Sequence, residues 1–102
     1  MPTTKRKPKR AKGAVVIRAN QAGCHYGYIA SKTETEIVLR DARRLWYWIG
    51  ASLSQVAAEG AGDGSKIGVP VRVTLRRDDV VEIIDATPAA SAKIEGMAPW
   101  RR

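Results

Sequence analysis

The chain has 102 residues, room for one small domain with a modest core. Its formal charge is +8, and its one cysteine, Cys24, excludes an internal disulfide and fits a reducing compartment. No apolar run approaches the roughly 18 residues of a membrane-spanning helix, and no apolar stretch follows the basic N-terminus as in a secretory signal, which points to a soluble, intracellular protein. Residues 1–13 hold Lys5, Arg6, Lys7, Lys9, Arg10 and Lys12 with no acid, and Arg101 and Arg102 end the chain. Between them, residues 14–100 carry 10 basic and 10 acidic side chains, so the body is electrically balanced and the basicity sits in the tails. Residues 1–13 read as a flexible basic arm. Such an arm grips phosphate backbones without sequence preference, serves as a solubility tail, or orders inside an assembly.

From Ala14 onward the signals are mainly of strands. Val15-Val16-Ile17 is a β-branched run ended by Asn20-Gln21-Ala22-Gly23. His25 to Ser31 is a second strand, with Tyr26 and Tyr28 on one face. Lys32 to Thr35 turns the chain, and Glu36 to Arg40 returns as its partner. A third run from Ala42 to Ile49 puts Arg43, Leu45, Tyr47 and Ile49 on one face. Ala42, Arg44, Trp46 and Trp48 fall on the other, and both faces read as at least half buried.

Gly50 breaks that run, and Ser52-Leu53-Ser54-Gln55 is a capping box. It opens a short helix from Leu53 to Glu59, stopped by Gly60, with Leu53, Val56 and Ala57 on its buried stripe. After a loop at 61–65, Val69, Val71, Val73 and Leu75 alternate inward against Pro70, Arg72, Thr74 and Arg76 outward. Arg77-Asp78-Asp79 turns the chain into Val80 to Asp85 as the partner strand. Thr87-Pro88 starts a second helix, running to Glu95 and closed by Gly96. Trp100 anchors the tail that follows. The sum is an α+β, mainly β domain over 14–102: a small antiparallel sheet or half-barrel of about five strands with two short helices.

Catalysis has little to stand on. His25 follows Cys24 directly, so in a strand the two point to opposite faces and make a poor nucleophile–base couple. Gly60, Gly62 and Gly64 lack the strand and spacing of a phosphate loop. With one histidine and one cysteine the chain cannot assemble a structural zinc site alone. These features predict a protein that is not an enzyme and has no cofactor.

The segment Arg43-Arg44-Leu45-Trp46-Tyr47-Trp48 carries the functional signal. Its bland reading is core and rim: Leu45, Trp46 and Trp48 inside, the arginines solvated or paired with Asp41 and Glu59. Its sharper reading is a cleft for a planar anion. In that cleft Arg43 and Arg44 give charge, Trp46 or Trp48 a stacking face, and Ser52 and Ser54 the helix-end amides.

These residues, Asp41 to Trp48 followed by Gly50-Ala51-Ser52-Leu53-Ser54-Gln55-Val56-Ala57 and Glu59-Gly60, resemble the signature of a family of small uncharacterised tailed-bacteriophage proteins. Val81 to Ile84 and Ile94-Glu95-Gly96 with Trp100 fit the same pattern, and the resemblance covers most of residues 14–100. A weaker similarity, ending in Ile84-Asp85-Ala86, links the chain to phage anti-defence sponge proteins of the Thoeris immune system. Those are small β-rich oligomers that sequester a cyclic ADP-ribose-type signal without hydrolysing it. The chain departs from them in Trp46-Tyr47-Trp48, where they have a shorter aromatic segment, and in the loop after Gly60.

The resemblance implies a phage-encoded, homo-oligomeric protein in the bacterial host's cytoplasm that captures an anionic, nucleotide-like small molecule. The rival expectation is a nucleic-acid-binding or virion-associated structural protein, with the six cations of residues 5–12 on the phosphates. A third is an inhibitor docking on a host protein through exposed aromatics.

Overall fold

The computed structural model describes residues 13–50 and 52–100. The basic arm expected at residues 1–13 lies, apart from Gly13, outside the described residues. Six strands form the body: β1 (Ala14–Ala19), β2 (Gly23–Lys32), β3 (Glu36–Tyr47), β4 (Lys66–Ile67), β5 (Val71–Arg76) and β6 (Val80–Asp85). Helix α1 (Leu53–Glu59) lies between β3 and β4, and α2 (Pro88–Glu95) follows β6. A 3-10 turn, Arg77–Asp79, joins β5 to β6.

All pairings are antiparallel, in the order β5-β3-β2-β1-β6, with β4 also on the outer edge of β3. The order demands a curled sheet. Flat, β5 and β6 would stand four interstrand spacings apart, about 19 Å. Four Cα steps from Arg76 to Val80 reach at most about 14 Å. The sheet curls until the turn can bridge its two edges, giving an open antiparallel sheet of six strands where the sequence pattern predicts a sheet or half-barrel of about five. Asp79 locks that end: its carboxylate accepts from the Gln21 and Ala22 amides at 3.0 and 3.1 Å.

Two cores result. The inner face of the roll packs Val15, Ile17, Ile37, Leu39, Ala42 and Leu75 together. The other face carries Val16, Tyr26, Leu45 and Ile67 against Leu53, Val56 and Ala57 of α1 and Ile94 of α2.

Three expectations change. Glu36–Arg40 and Ala42–Ile49 are not two strands but one, β3, bulged at Asp41, which takes φ 52°. Leu39 and Ala42 oppose Val73 and Val71, so β3 spends one residue more than its partner there. The bulge flips parity: Ile37 and Leu39 face inward before it, and Ala42, Arg44 and Trp46 face inward after it. Gly27 sits opposite, where a Cβ would stand 3.0 Å from Ala42 Cα.

β5 and β6 also do not pair with each other; β5 pairs with β3 and β6 with β1, at opposite edges. Finally, Val71, Val73 and Leu75 do face inward, yet only Leu75 is buried, because no strand covers the outer side of β5.

Both helices start as their sequences predict. Ser52 Oγ accepts from the Gln55 amide at 3.2 Å, and Thr87 Oγ1 from the Ala90 amide at 3.1 Å. The Gln55 side chain donates along the helix to Glu59 at 3.1 Å.

Candidate functional site

Strand alternation splits the six residues expected to form one cleft. Arg43 and Arg44 are neighbours in sequence and so point to opposite faces of β3. Arg43 enters the helix-side core, where it is 3% exposed. Its Nε donates to Gly68 O and its Nη1 to Ile94 O, both at 2.7 Å, while Nη2 has no partner among the described residues. Burial pulls its pKa down. The guanidinium meets the C-terminal carbonyls of α2, where a cation is favoured by the helix dipole. Arg43 is therefore a strut between β3, the β4–β5 connection and α2, not the solvated residue of the bland reading.

Trp48 is half-buried against the same core. Ser52 is the cap of α1, and Ser54 lies exposed on its first turn. Neither approaches the inner face, and α1 is a single seven-residue helix.

Arg44 and Trp46 do come together. Separated by two residues after the bulge, both face inward, with Arg44 Cζ 5.4 Å from the Trp46 ring centroid. Arg44 Nη1 donates to Ala22 O at 2.6 Å, which fixes the guanidinium over the strand. Trp46 is 59% exposed, contrary to the core role the bland reading gives it. Trp100 stands against it at 6.1 Å between centroids, tilted by 58°. The Trp100 amide donates to Ile67 O at 2.8 Å, which pins the C-terminal tail there. Lys66 Nζ lies 5.1 Å from the Trp100 ring and 5.9 Å from that of Tyr47, itself half exposed. The result is a solvent-exposed aromatic surface flanked by two cations.

Beneath this surface a cavity of about 180 Å³ is bounded by His25, Arg44 and Trp46 on one side and Val69, Val71 and Val73 on the other. None of these residues is acidic. His25 pairs across the ladder with Arg44 and is 1% exposed. Neither imidazole nitrogen has a hydrogen bond of normal geometry among the described residues, although the Gly23 backbone lies close enough to favour the cation slightly. Burial first, then the Arg44 charge, lowers the His25 pKa to about 4. At neutral pH the imidazole is uncharged. Sequence reasoning weighed His25 as a catalytic partner of Cys24; the cross-strand register with Arg44 places it here.

A second cluster was also missed. The Tyr26 and Tyr28 hydroxyls both donate to one carboxylate oxygen of Glu95, joining β2 to the end of α2. These bonds hold Glu95 below the usual carboxylate range. Arg40 Cζ covers the Tyr28 ring at 4.5 Å. A cavity of about 450 Å³ adjoins this cluster. Its charges are internally matched: Arg40 pairs with Asp41 at 2.9 Å, and Glu95 faces the buried Arg43. Such a neutral arrangement has no surplus charge with which to attract an ion.

Among the described residues no group of three His, Cys, Asp or Glu could hold a metal, and no helix is long and apolar enough to cross a membrane. A family model described as "Domain of unknown function (DUF6948)" matches residues 12–94. No curated protein and no solved structure matches the chain.

Proposed function

The chain belongs to the DUF6948 family, and we propose that this member is a non-enzymatic module that captures a planar, anionic, nucleotide-like ligand on Trp46 and Trp100. The observation that carries the reading is Trp46 itself: 59% exposed on β3, yet in contact with both Arg44 and Trp100. A base ring stacks on such a surface by about 1–3 kcal/mol. Arg44 and Lys66 flank it, where a phosphate of the same ligand would meet positive charge. The similarity to phage sponge proteins favours a cyclic, signal-type nucleotide and a role in the infected host's cytoplasm.

Titration calorimetry with cyclic and linear ADP-ribose species and cyclic dinucleotides, read alongside tryptophan fluorescence, tests this. Binding by at least one, with quenching that Trp46→Ala abolishes, is expected. Silence from the full set would overturn it.

The nucleic-acid reading keeps one specific support, the six cations of residues 5–12 ahead of a body, residues 14–100, with no net charge. It requires oligonucleotide binding that weakens steeply with salt.

A further inference from the structure

Each end of the rolled sheet is a strand bonded on one side only: β5 to β3, and β6 to β1. Unpaired edges of this kind pair with other chains unless something blocks them. The guard each edge carries is charge: Arg72 and Arg76 on β5, Glu82 and Asp85 on β6. β5 is a regular six-residue strand, Val71-Arg72-Val73-Thr74-Leu75-Arg76, without proline. β6 has six residues, Val80-Val81-Glu82-Ile83-Ile84-Asp85, its single irregularity confined to its start beside Ala19.

The two edges match each other on both faces. On the inner face Val71 is 48% exposed and Ile83 38% exposed, although both point to the side where the rest of the sheet has its core. On the opposite face β5 presents Arg72 and β6 presents Glu82. Laid antiparallel with Arg72 opposite Glu82, the strands also set Val71 opposite Ile83. Apolar then meets apolar, and cation meets anion.

Pairing like with like does worse. Two antiparallel β5 edges centred on Thr74 set Arg72 opposite the other copy's Arg76, and two β6 edges centred on Glu82 set that carboxylate opposite its own copy. Within one chain the two edges share no ladder, since β5 and β6 are nowhere paired. Glu82 already accepts from Arg18 at 2.9 Å, with both side chains about half exposed, and Arg76 pairs with Asp78 at 3.0 Å, with both largely exposed. Arg72 has no ion-pair partner among the described residues.

We propose that the protein self-associates head to tail, β5 of one copy pairing with β6 of the next in the Arg72–Glu82 register. Every copy uses two different surfaces, so the contact is heterologous and propagates until it closes on itself. The proposal does not rest on the ligand reading, because assembly is measured without ligand.

Light scattering of the full chain after gel filtration is expected to give a mass several times 11.1 kDa. Arg72→Glu and Glu82→Arg each put like charges at the contact and are expected to drop the mass toward one chain, with circular dichroism and cooperative melting retained. Mixed, they restore it, because each variant's altered edge then meets its complement. Amide exchange of the unmodified protein supplies a check that needs no variant: Val71–Arg76 and Val80–Asp85 gain protection as protein concentration rises. A monomeric wild type, two variants that keep the wild-type mass, a mixture that stays monomeric, or edge amides indifferent to concentration would each overturn the proposal.

Discussion

Two adjacent arginines with different fates make the residue-scale chemistry concrete. Arg43 satisfies two backbone carbonyls from inside the core, so Arg43→Ala orphans Gly68 O, leaves Ile94 O with backbone donors alone, and opens a cavity. We expect a loss of about 2–4 kcal/mol, read as a lower denaturation midpoint. Arg44 makes one such bond from a half-exposed position and lies over Trp46, so Arg44→Ala keeps most of the stability and loses ligand affinity. If Arg43→Ala abolished binding while still melting like the wild type, the division of labour would be reversed.

His25 gives a pH signature. Its pKa is lowered from 6.5 to about 4, so between those values the unfolded chain binds a proton that the folded chain refuses. Stability therefore rises with pH through this window, and acidification from pH 6.5 to 4 costs up to about 3 kcal/mol. Glu95 adds a separate acid-side loss, since its lowered pKa contributes stability that disappears only as pH falls through the folded value. His25→Leu removes an imidazole with no normal hydrogen bond and keeps an apolar side chain of similar bulk. The variant is expected to be no less stable at pH 7 and more stable than the wild type at pH 5. Melts at the two pH values test this; a variant losing equally at both would show that His25 is bonded after all.

At the scale of elements, the Asp41 bulge decides which side chains reach the inner face. Without the extra residue, Arg44 and Trp46 would share parity with Val38 and Arg40, beneath or outside the helices. Asp41 sits at φ 52°, a conformation that costs a β-branched residue far more than it costs aspartate or glycine. Asp41→Val is expected to destabilise by about 1–3 kcal/mol and Asp41→Gly to be tolerated, with the exposed Arg40 pair contributing little. Thermal melts of the two variants decide it; equal losses would mean that the Arg40 pair, not the backbone, matters at this site.

The bulge also marks where the sequence stops being legible. Each side of β3 reads as a strand on its own, so pattern reading finds two strands and no reason to join them. The helices were readable because Ser52 and Thr87 announce their starts with local chemistry. The partners of β5 and β6 were not. A three-residue turn ordinarily makes a hairpin, and only the curl of the whole sheet sends the two strands to opposite edges. The site shows the same boundary: Arg44 with Trp46 follows from spacing by two, whereas His25 and Trp100 join them through register and chain return.

For the whole molecule, the separation in sequence between the surplus charge and the aromatic residues makes two binding modes separable. The 10 cations and 10 anions of residues 14–100 cancel, while six cations crowd residues 5–12. A chain beginning at Gly13 keeps every residue of the sheet, Trp46 and Trp100 included. If a nucleotide binds at the aromatic surface, its affinity survives that truncation, because Arg44 and Lys66 supply the local charge. Single-stranded oligonucleotides behave differently. Each cation that displaces a counterion adds about 0.7 to the slope of log affinity against log salt, so six contribute up to about 4. Removing residues 1–12 is expected to flatten the slope by that amount while the mononucleotide isotherm stays unchanged. Fluorescence anisotropy across a salt series, run on both chain lengths, distinguishes the modes: an unchanged slope would remove the arm from nucleic-acid binding, and a lost mononucleotide isotherm would move the small-ligand site away from Trp46.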